Sequence, residues 1–438
     1  MAGEDRAVLL YYCYMNPLWT EEAVESMLAW QRDACASLSL SGRAKIASEG
    51  LNVNLTGSRG DLEAYCTQLL EWRAPSDSGG GGGLGPVDFK LAPTTRSLEF
   101  RGIKVWRAAE VCALGAAVDP AAPAGKHLTP AEFHGVLAAA TAGERPPGSV
   151  VLLDARNLYE TRLGRFEVAD PRAAVVTIAP PTLTFAELPR HIDALGREAT
   201  PAAASASDSA SAATPSPPPS LAGKTVLMYC TGGVRCERAS QYLLAAHPEV
   251  GEVCQLAGGI QRYLEAFPDG GFWRGLNYVF DRREVHGPTQ APAATPSAGQ
   301  GSSSGGCGGC SIGSGAGSGG GTDGGTGGGK GGSATRHLIA NCLTCGAPWG
   351  SYKGKRKCGG CRMLVLVCEL CQSRGSDKGA SLRCEVCRGG GGAAKGAAGE
   401  VSGSGAAGLG DAEGDAQALA ESEGDRQAKV AKLPAAEP

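Results

Sequence analysis

Apolar residues along the first hundred positions switch between two periods. Ala7-Val-Leu-Leu-Tyr-Tyr-Cys-Tyr14 is an unbroken run of apolar and β-favouring residues and predicts a strand. Thr20 then stands as an N-cap, with Glu21 and Glu22 in the first turn of a helix reaching about Cys35. Residues 43–47 and 51–55 read as short strands, 60–72 as a second helix, and 89–91 with 102–106 as closing strands. The order β-α-β-β-α-β predicts a ferredoxin-like (acylphosphatase-like) α+β sandwich over residues 6–108.

A different pattern follows in residues 125–286. Val150-Val-Leu-Leu-Asp154 is a continuous apolar strand ending on an acid, and Thr225-Val-Leu-Met-Tyr229 is another, running straight into Cys230. Helical stretches lie between and after them, so this unit predicts an α/β domain with a parallel sheet covered on both faces. Residues 336–387 have almost no apolar core of their own and carry eight cysteines instead.

Composition explains how three such units share 438 residues. The chain holds 67 glycines, roughly twice the usual share, and only 5% aromatic residues. The excess concentrates in stretches that cannot bury enough apolar surface to offset chain entropy. These are the Gly-rich 79–86, the Ala/Ser/Thr/Pro insertion 199–220 and the Gly/Ser-rich linker 287–335. In the densest part of that linker, 301–332, 18 of 32 residues are Gly, which predicts a flexible tether letting the last unit move relative to the second. The tail 388–438 has 8 acids and 5 bases, accounts for the whole net charge of −3 and is expected to be disordered. Gly232, Gly233, Gly258 and Gly259 are exceptions that lie beside the chemistry. Collagen is excluded because the glycines have no period of three.

No run of 18 apolar residues exists, and Met1-Ala-Gly-Glu-Asp-Arg6 is acidic where a signal peptide is basic and then apolar. The expectation is a chain of the cytoplasm, or of the nucleus, with no membrane partner. Seventeen cysteines then read as metal ligands and reactive thiols rather than disulfides.

Cys230-Thr-Gly-Gly-Val-Arg235 follows an apolar strand and precedes a helix expected over about 236–246. Backbone N–H groups of such a loop, turned inward at a helix N-terminus, stabilise an anion at its centre. Cys230 there is expected to be a thiolate. Gly232 and Gly233 let the backbone wrap, Thr231 and Val234 complete the loop, and Arg235 adds a positive charge. The set suits a nucleophile that accepts sulfur as a persulfide or forms another covalent intermediate. Two alternatives are a buried, inert thiol and a phosphatase loop, but the latter needs five residues between Cys and Arg where this loop has four.

The second motif is four Cys-x2-Cys pairs: Cys342 and Cys345, Cys358 and Cys361, Cys368 and Cys371, Cys384 and Cys387. Each pair offers two thiolates from one tight turn, and two pairs complete a tetrahedral shell, so two structural zinc ions are expected. Intervals of 12, 6 and 12 residues favour pairing the first with the second and the third with the fourth; an interleaved pairing stays open. Eight thiolates close both shells and leave no open position for catalysis. Cys307 and Cys310 form an isolated pair in the tether and read as bystanders.

Residues 148–267 resemble a rhodanese domain in Leu153-Asp-Ala-Arg156, the Cys230 to Arg235 loop and Leu256-Ala-Gly-Gly-Ile260. A wider set of motifs, Ser48-Glu-Gly-Leu-Asn52, Gly125-Lys-His-Leu-Thr-Pro130, Arg156-Asn-Leu-Tyr-Glu-Thr161, Arg162-Leu-Gly-Arg-Phe166 and Tyr229 to Ser240, resembles the rhodanese-containing tRNA wobble-uridine hydroxylases. The cysteine-rich end, with Trp349, Tyr352 and Cys361-Arg-Met-Leu-Val-Leu-Val-Cys368, is similar to the longer eukaryotic-type members, the thiosulfate sulfurtransferase/rhodanese-like domain-containing proteins. The resemblance implies a ferredoxin-like domain fused to a rhodanese domain that uses molecular oxygen to convert a tRNA anticodon uridine to 5-hydroxyuridine. It implies that Cys230 is the active-site cysteine and Cys236 its loop-adjacent second cysteine. By its chemistry Cys236 is either a resolving thiol for a sulfenate or persulfide on Cys230, or a small residue packed under the loop. Asp154 and Arg156 are expected to orient the loop through a salt bridge. The stretch Phe166-Glu-Val-Ala-Asp-Pro171 departs from the Gly-Ala pair usual before that proline.

The leading expectation is therefore a tRNA uridine hydroxylase. A sulfurtransferase moving sulfur from thiosulfate or a persulfide donor to a thiol acceptor is the second, and a non-enzymatic RNA- or protein-binding adaptor the third. DNA is not an expected partner. Residues 336–387 hold 9 Lys/Arg against 3 acids, and Lys353-Gly-Lys-Arg-Lys357 beside Trp349 and Tyr352 is either a phosphate-contacting, base-stacking patch or a screen for anionic zinc-thiolate centres. Arg101, Lys104 and Arg107 form a second RNA-facing candidate set or a solvated edge.

Overall fold

Three chain segments each organise around their own hydrogen-bonding logic in the computed structural model, which describes residues 5–75, 83–168, 175–196, 220–278, 285–289, 338–375 and 382–388. The chain divides into two units, Met1–Gly390 and Gly391–Pro438, and every described residue belongs to the first. Several sequence expectations fall outside the described residues: 79–82 of the first Gly tract, 199–219 of the insertion, 290–335 of the linker with Cys307 and Cys310, 389–438 of the tail, and the 169–171 end of the departing stretch.

The first segment contains β1 (Arg6–Tyr14), α1 (Glu21–Ser37), β2 (Ser41–Ala47), β3 (Gly50–Ser58), α2 (Arg59–Glu71), β4 (Lys90–Pro93) and β5 (Ile103–Arg107). Thr20 and Ser58 cap the two helices by accepting from Ala23 N and Asp61 N, contacts worth about 1 kcal/mol each. The strand order is β4-β1-β3-β2-β5, antiparallel throughout except for the parallel β2–β5 pair. The two predicted closing strands thus occupy opposite edges, β5 being a fifth strand added beyond β2. Leu9, Tyr11 and Cys13 face the helices with Val24, Met27, Leu55 and Tyr65. By the period of two, Leu10, Tyr12 and Tyr14 face the other way. That second face is also covered, which is why the strand reads as continuously apolar.

The second segment runs β6 (Lys126–Leu128), α3 (Pro130–Thr141), β7 (Val150–Asp154), α4 (Leu158–Thr161), β8 (Gly164–Phe166), β9 (Val175–Ile178), α5 (Leu188–Gly196), β10 (Thr225–Tyr229), α6 (Val234–Ala246), β11 (Glu252–Leu256), α7 (Gly259–Ala266), β12 (Trp273–Gly275), β13 (Asn277–Tyr278) and β14 (Val285–His286). Its sheet has the order β6-β11-β10-β7-β9 with every pair parallel. Val151, Leu153, Val226 and Met228 enter a core with Ile192 and Leu243 on one face. Val150, Leu152, Leu227 and Tyr229 enter another with Phe133, Ile260 and Tyr263 on the other. Both faces are buried, so alternate residues need not differ in polarity.

The third segment, with α8 (Glu369–Ser373) and α9 (Glu385–Arg388), has little regular structure. Its buried run Met363-Leu-Val-Leu-Val367 shares one core with Tyr159, Leu163, Leu276 and Tyr278 of the second segment. The expectation of a module free to move on its tether is corrected here. A segment too small to bury its own apolar residues completes its core by docking.

Candidate active site and cysteine quartets

Cys230 follows β10 directly, and α6 starts at Val234, two residues before the expected start. Gly233 makes this possible by adopting φ 105°, a left-handed value costly for any residue with a Cβ. Its N–H donates to Cys230 Sγ at 3.1 Å. The loop is fixed from behind by the turn into α7: Ile260 N donates to Cys230 O at 3.0 Å and Gln261 N to Thr231 O at 3.3 Å. A Cβ on Gly259 would lie 2.5 Å from Thr231 O and 2.6 Å from Cys230 O, so the close approach requires glycine there.

The sulfur is fully buried. Burial pushes its pKa up, but the Cys236 thiol, the Arg235 charge and the N–H groups of Cys236 and Arg235 together pull it down to about 5. Cys236, buried beside that thiolate, is pushed in the opposite direction, first by burial and then by its charged neighbour. Cys236 is thus the protonated member of the pair and donates to Cys230. Thr231, Val234 and Arg235, half-buried, form the rim.

Arg235 does not stand alone. Its Nη1 and Nη2 donate to Glu160 Oε2 and Oε1 at 2.7 and 2.8 Å, a bidentate pair, and Nη2 also reaches Thr231 Oγ1 at 3.3 Å. Burial raises the Glu160 pKa, yet Arg235 outweighs it and keeps the carboxylate ionised. Glu160 sits on α4, whose N-cap is Asn157.

Asp154 and Arg156 form a fully buried bidentate pair at 2.9 and 2.7 Å; Arg156 also donates to Gly164 O at 2.7 Å, and Thr161 Oγ1 to Asp154 Oδ2 at 2.7 Å. The guanidinium lies 5.5 Å from the Tyr229 ring and 5.1 Å from the Trp273 ring. It therefore packs against the residue preceding Cys230 and ties β8 to β7, while Thr161 ties α4 to β7.

The outer face of β1 supplies a further wall. Leu10 Cδ2 lies 3.1 Å from a Cβ built on Gly232, and the Tyr12 hydroxyl 2.5 Å from one built on Gly233. The Tyr14 hydroxyl donates to Val234 O at 3.3 Å. Beneath Tyr12, the buried Lys90 pairs with Asp88 at 2.6 Å, and Asp88 with Arg262 of α7 at 2.6 Å. Burial lowers the Lys90 pKa, whereas Asp88 and the Cys230 thiolate favour its charge. Glu49 and Arg238, both buried and 3.4 Å apart, add a second bridge from the first segment to α6.

The eight cysteines form two quartets. Cys342, Cys345, Cys368 and Cys371 bring their sulfurs within 4.8 Å of one another, and so do Cys358, Cys361, Cys384 and Cys387. The favoured sequential pairing is corrected to an interleaved one, first with third and second with fourth. Backbone bonds decide it: Leu343 N donates to Leu366 O at 2.7 Å and Gly359 N to Leu382 O at 2.6 Å, setting each turn beside the approach to its distant partner. Four ligands at about 2.3 Å from a tetrahedral ion lie about 3.8 Å apart. The Cys345–Cys368 and Cys361–Cys384 sulfur separations, 3.7 and 3.6 Å, fit that spacing. Cys368 N donates to Cys342 Sγ at 3.2 Å and Cys384 N to Cys358 Sγ at 3.3 Å, as suits thiolate ligands.

Structure thus gathers Cys230, Thr231, Gly232, Gly233, Val234, Arg235 and Cys236 at one loop, places Asp154 and Arg156 behind it, and separates the eight metal-ligating candidates into two groups. Glu160, Tyr12, Lys90 and Glu49 were not singled out from sequence. Glu160 stood inside a quoted motif, but its partner lies 75 positions away. The basic and aromatic RNA candidates divide: Tyr352 is buried and donates to Tyr159 O at 2.9 Å, which removes it from base stacking. Arg107 pairs with Glu21, Lys104 lies 5.2 Å from the Trp106 ring, and Arg101 is exposed.

The UPF0176 acylphosphatase-like domain matches residues 6–111. Rhodanese-like domain-containing protein 6 of Arabidopsis thaliana is 32% identical over 398 residues, covering 88% of this chain and 53% of that protein, so the chain spans about half of this relative's length. The tRNA uridine(34) hydroxylase of Synechococcus elongatus is 32% identical over 60% of this chain and 80% of its own. That of Pseudarthrobacter chlorophenolicus is 29% identical over 63% and 79%. Among solved structures, a Coxiella burnetii acylphosphatase aligns over 24% of this chain and 98% of its own, at 14% identity and TM-score 0.18. No helix among the described residues is long and apolar enough to cross a membrane.

Proposed function

The chain belongs to the tRNA uridine(34) hydroxylase family, and on that premise we propose that it converts the wobble uridine of a tRNA to 5-hydroxyuridine with molecular oxygen, Cys230 acting in the reacting centre. The observation that carries the reading is a thiolate held near pKa 5 beside a protonated second thiol, a pair able to deliver two electrons and a proton. In balance, uridine C5–H, O2, the Cys230 thiolate, the Cys236 thiol and one proton give C5–OH, water and a Cys230–Cys236 disulfide. An external thiol returns the disulfide to its reduced form.

Under this reading residues 6–108 and 125–286 are two domains that build the site together, with Leu10, Tyr12 and Tyr14 walling the loop. Residues 336–387 are a module holding two structural zinc ions, one per quartet, that contribute cross-links and no step. The base must leave its stack to reach a buried sulfur, entering by the half-buried rim at Thr231 and Arg235. The reaction is placed in the cytoplasm or nucleus, where tRNA is available.

Nucleoside mass spectrometry of tRNA from cells lacking the gene tests the substrate and reaction together. We expect 5-hydroxyuridine-type nucleosides to vanish, to return with the wild-type gene, and not to return with Cys230→Ala; unchanged modification in the deletion strain defeats the reading. The same thiolate cradle supports sulfur transfer as the second reading, for which purified protein treated with thiosulfate should gain about 32 Da on Cys230, one sulfur atom.

A further inference from the structure

The cysteine-rich segment docks at a particular place. Its Tyr352 hydroxyl, on a buried side chain, donates to the carbonyl of Tyr159 at 2.9 Å, and the Tyr352 ring stacks on Tyr278 and meets Tyr159 edge-on. From the other side Arg162 donates to Glu385 at 2.7 Å and to Leu364 O at 3.3 Å. Tyr159 lies within, and Arg162 caps the C-terminus of, a helix only four residues long, α4, Leu158–Thr161. A single turn has little stability of its own, since helix nucleation costs more than one turn's hydrogen bonds return. What it carries is Glu160, whose carboxylate grips Arg235 in the Cys230 loop at 2.7 and 2.8 Å. The chain of contact from the cysteine-rich segment to the reactive loop therefore passes through one side chain, one helical turn and one ion pair. Alignments with the bacterial hydroxylases named above cover 60% and 63% of this chain, so more than a third of it lies beyond what those relatives match.

We propose that the cysteine-rich segment is a positioning element for the reactive loop: Tyr352 and Arg162 hold α4 so that Glu160 fixes Arg235 beside Cys230. The role does not depend on which reaction Cys230 performs. It follows that the metal state of the quartets, which determines whether the segment keeps its shape, sets the reactivity of a cysteine in a different part of the fold.

The test is the pH profile of Cys230 alkylation in the full-length, zinc-loaded protein, followed by peptide mass spectrometry so that the other cysteines do not enter the rate. Tyr352→Phe removes only the hydroxyl, and Arg162→Gln removes the contacts from the opposite side. Each is expected to retain two zinc ions per chain and to move the profile midpoint upward by about half a pH unit or more, a roughly threefold fall in the thiolate-to-thiol ratio at a given pH. Adding either change to Glu160→Gln should produce no further shift, because the path is already cut. A profile unchanged in both variants, with zinc retained, overturns the proposal. So does a shift that persists at full size in the Glu160→Gln background. If one variant does not fold, the other decides alone. Hydrogen exchange over residues 158–161, expected to quicken in either variant, separates a loosened turn from a direct effect on the loop.

Discussion

The reactive loop and the cysteine quartets meet the same physical problem by different means. Both hold buried thiolates that accept hydrogen bonds from backbone N–H groups: Gly233 N to Cys230, Cys368 N to Cys342, Cys384 N to Cys358. In the loop a single thiolate faces one neutral thiol and an Arg235 whose charge is shared with Glu160. In each quartet four sulfurs converge within 4.8 Å of one another. One negative charge can be carried by peptide dipoles and a neighbouring guanidinium, and its lone pairs stay available for chemistry. Four sulfurs gathered this closely could instead share one metal ion, which would consume those lone pairs. Cysteine number and neighbourhood, rather than cysteine itself, separate a reactive site from a structural one.

Removing the cation from each region in turn should break the comparison where it is strongest. Stripping metal with a chelator, or replacing Cys358 with Ser, should have the largest effect, because structural zinc contributes about 10–16 kcal/mol to domains of this kind. Metal analysis should fall from two ions per chain to at most one for Cys358→Ser, and near-UV circular dichroism from the Tyr159, Tyr278 and Tyr352 cluster should decline with it. Unchanged spectra after complete metal loss would show that the shared core holds without the ions.

Arg235→Gln removes the cation of the loop. It leaves Glu160 buried without its partner, which should cost about 3–5 kcal/mol in urea unfolding, and it should raise the midpoint of Cys230 alkylation from about 5. The double variant Arg235→Gln with Glu160→Gln should recover much of the stability but not the low midpoint.

The effect smallest at any one step comes from titrating the loop thiolate, because it is spread over several pH units. Its folded midpoint, about 5, lies below that of a free thiol, so the thiolate favours the folded state; this contribution is complete above about pH 8.5 and is lost as pH falls through 5. Between those limits the stability difference between wild type and Cys230→Ala should change by about 1.4 kcal/mol per pH unit in the wild type's favour as pH rises. A difference that stays flat from pH 5 to 9 would mean the sulfur is not held as an anion.

How far the chain could be read in advance differed from region to region. The parallel sheet, the ferredoxin-like order and the loop from Cys230 to Arg235 follow from short-range signals: apolar runs of strand length, N-caps such as Thr20, and Gly233 where the backbone turns left-handed. Pairings across long separations were not readable. Glu160 with Arg235, Glu49 with Arg238 and Tyr352 with Tyr159 span 75, 189 and 193 positions, and nothing local to either member points to the other. The regular 12-6-12 spacing even favoured the wrong quartets. Spacing reports how far a turn can reach, whereas the backbone bonds from Leu343 and Gly359 determine which turn it meets.

By itself the sequence determined which segments become strands and helices, which cysteine follows a strand into a helix N-terminus, and that eight cysteines come as four two-thiol turns. These are properties of a few neighbouring residues, dictated by backbone sterics and side-chain period. Tertiary structure alone decided that the outer face of β1 walls the reactive loop, that the quartets interleave, and that a core too small to close by itself docks on α4. Burial and the pairing of charges in low dielectric are settled only when distant segments meet, because the energy of each group depends on everything that displaces its water.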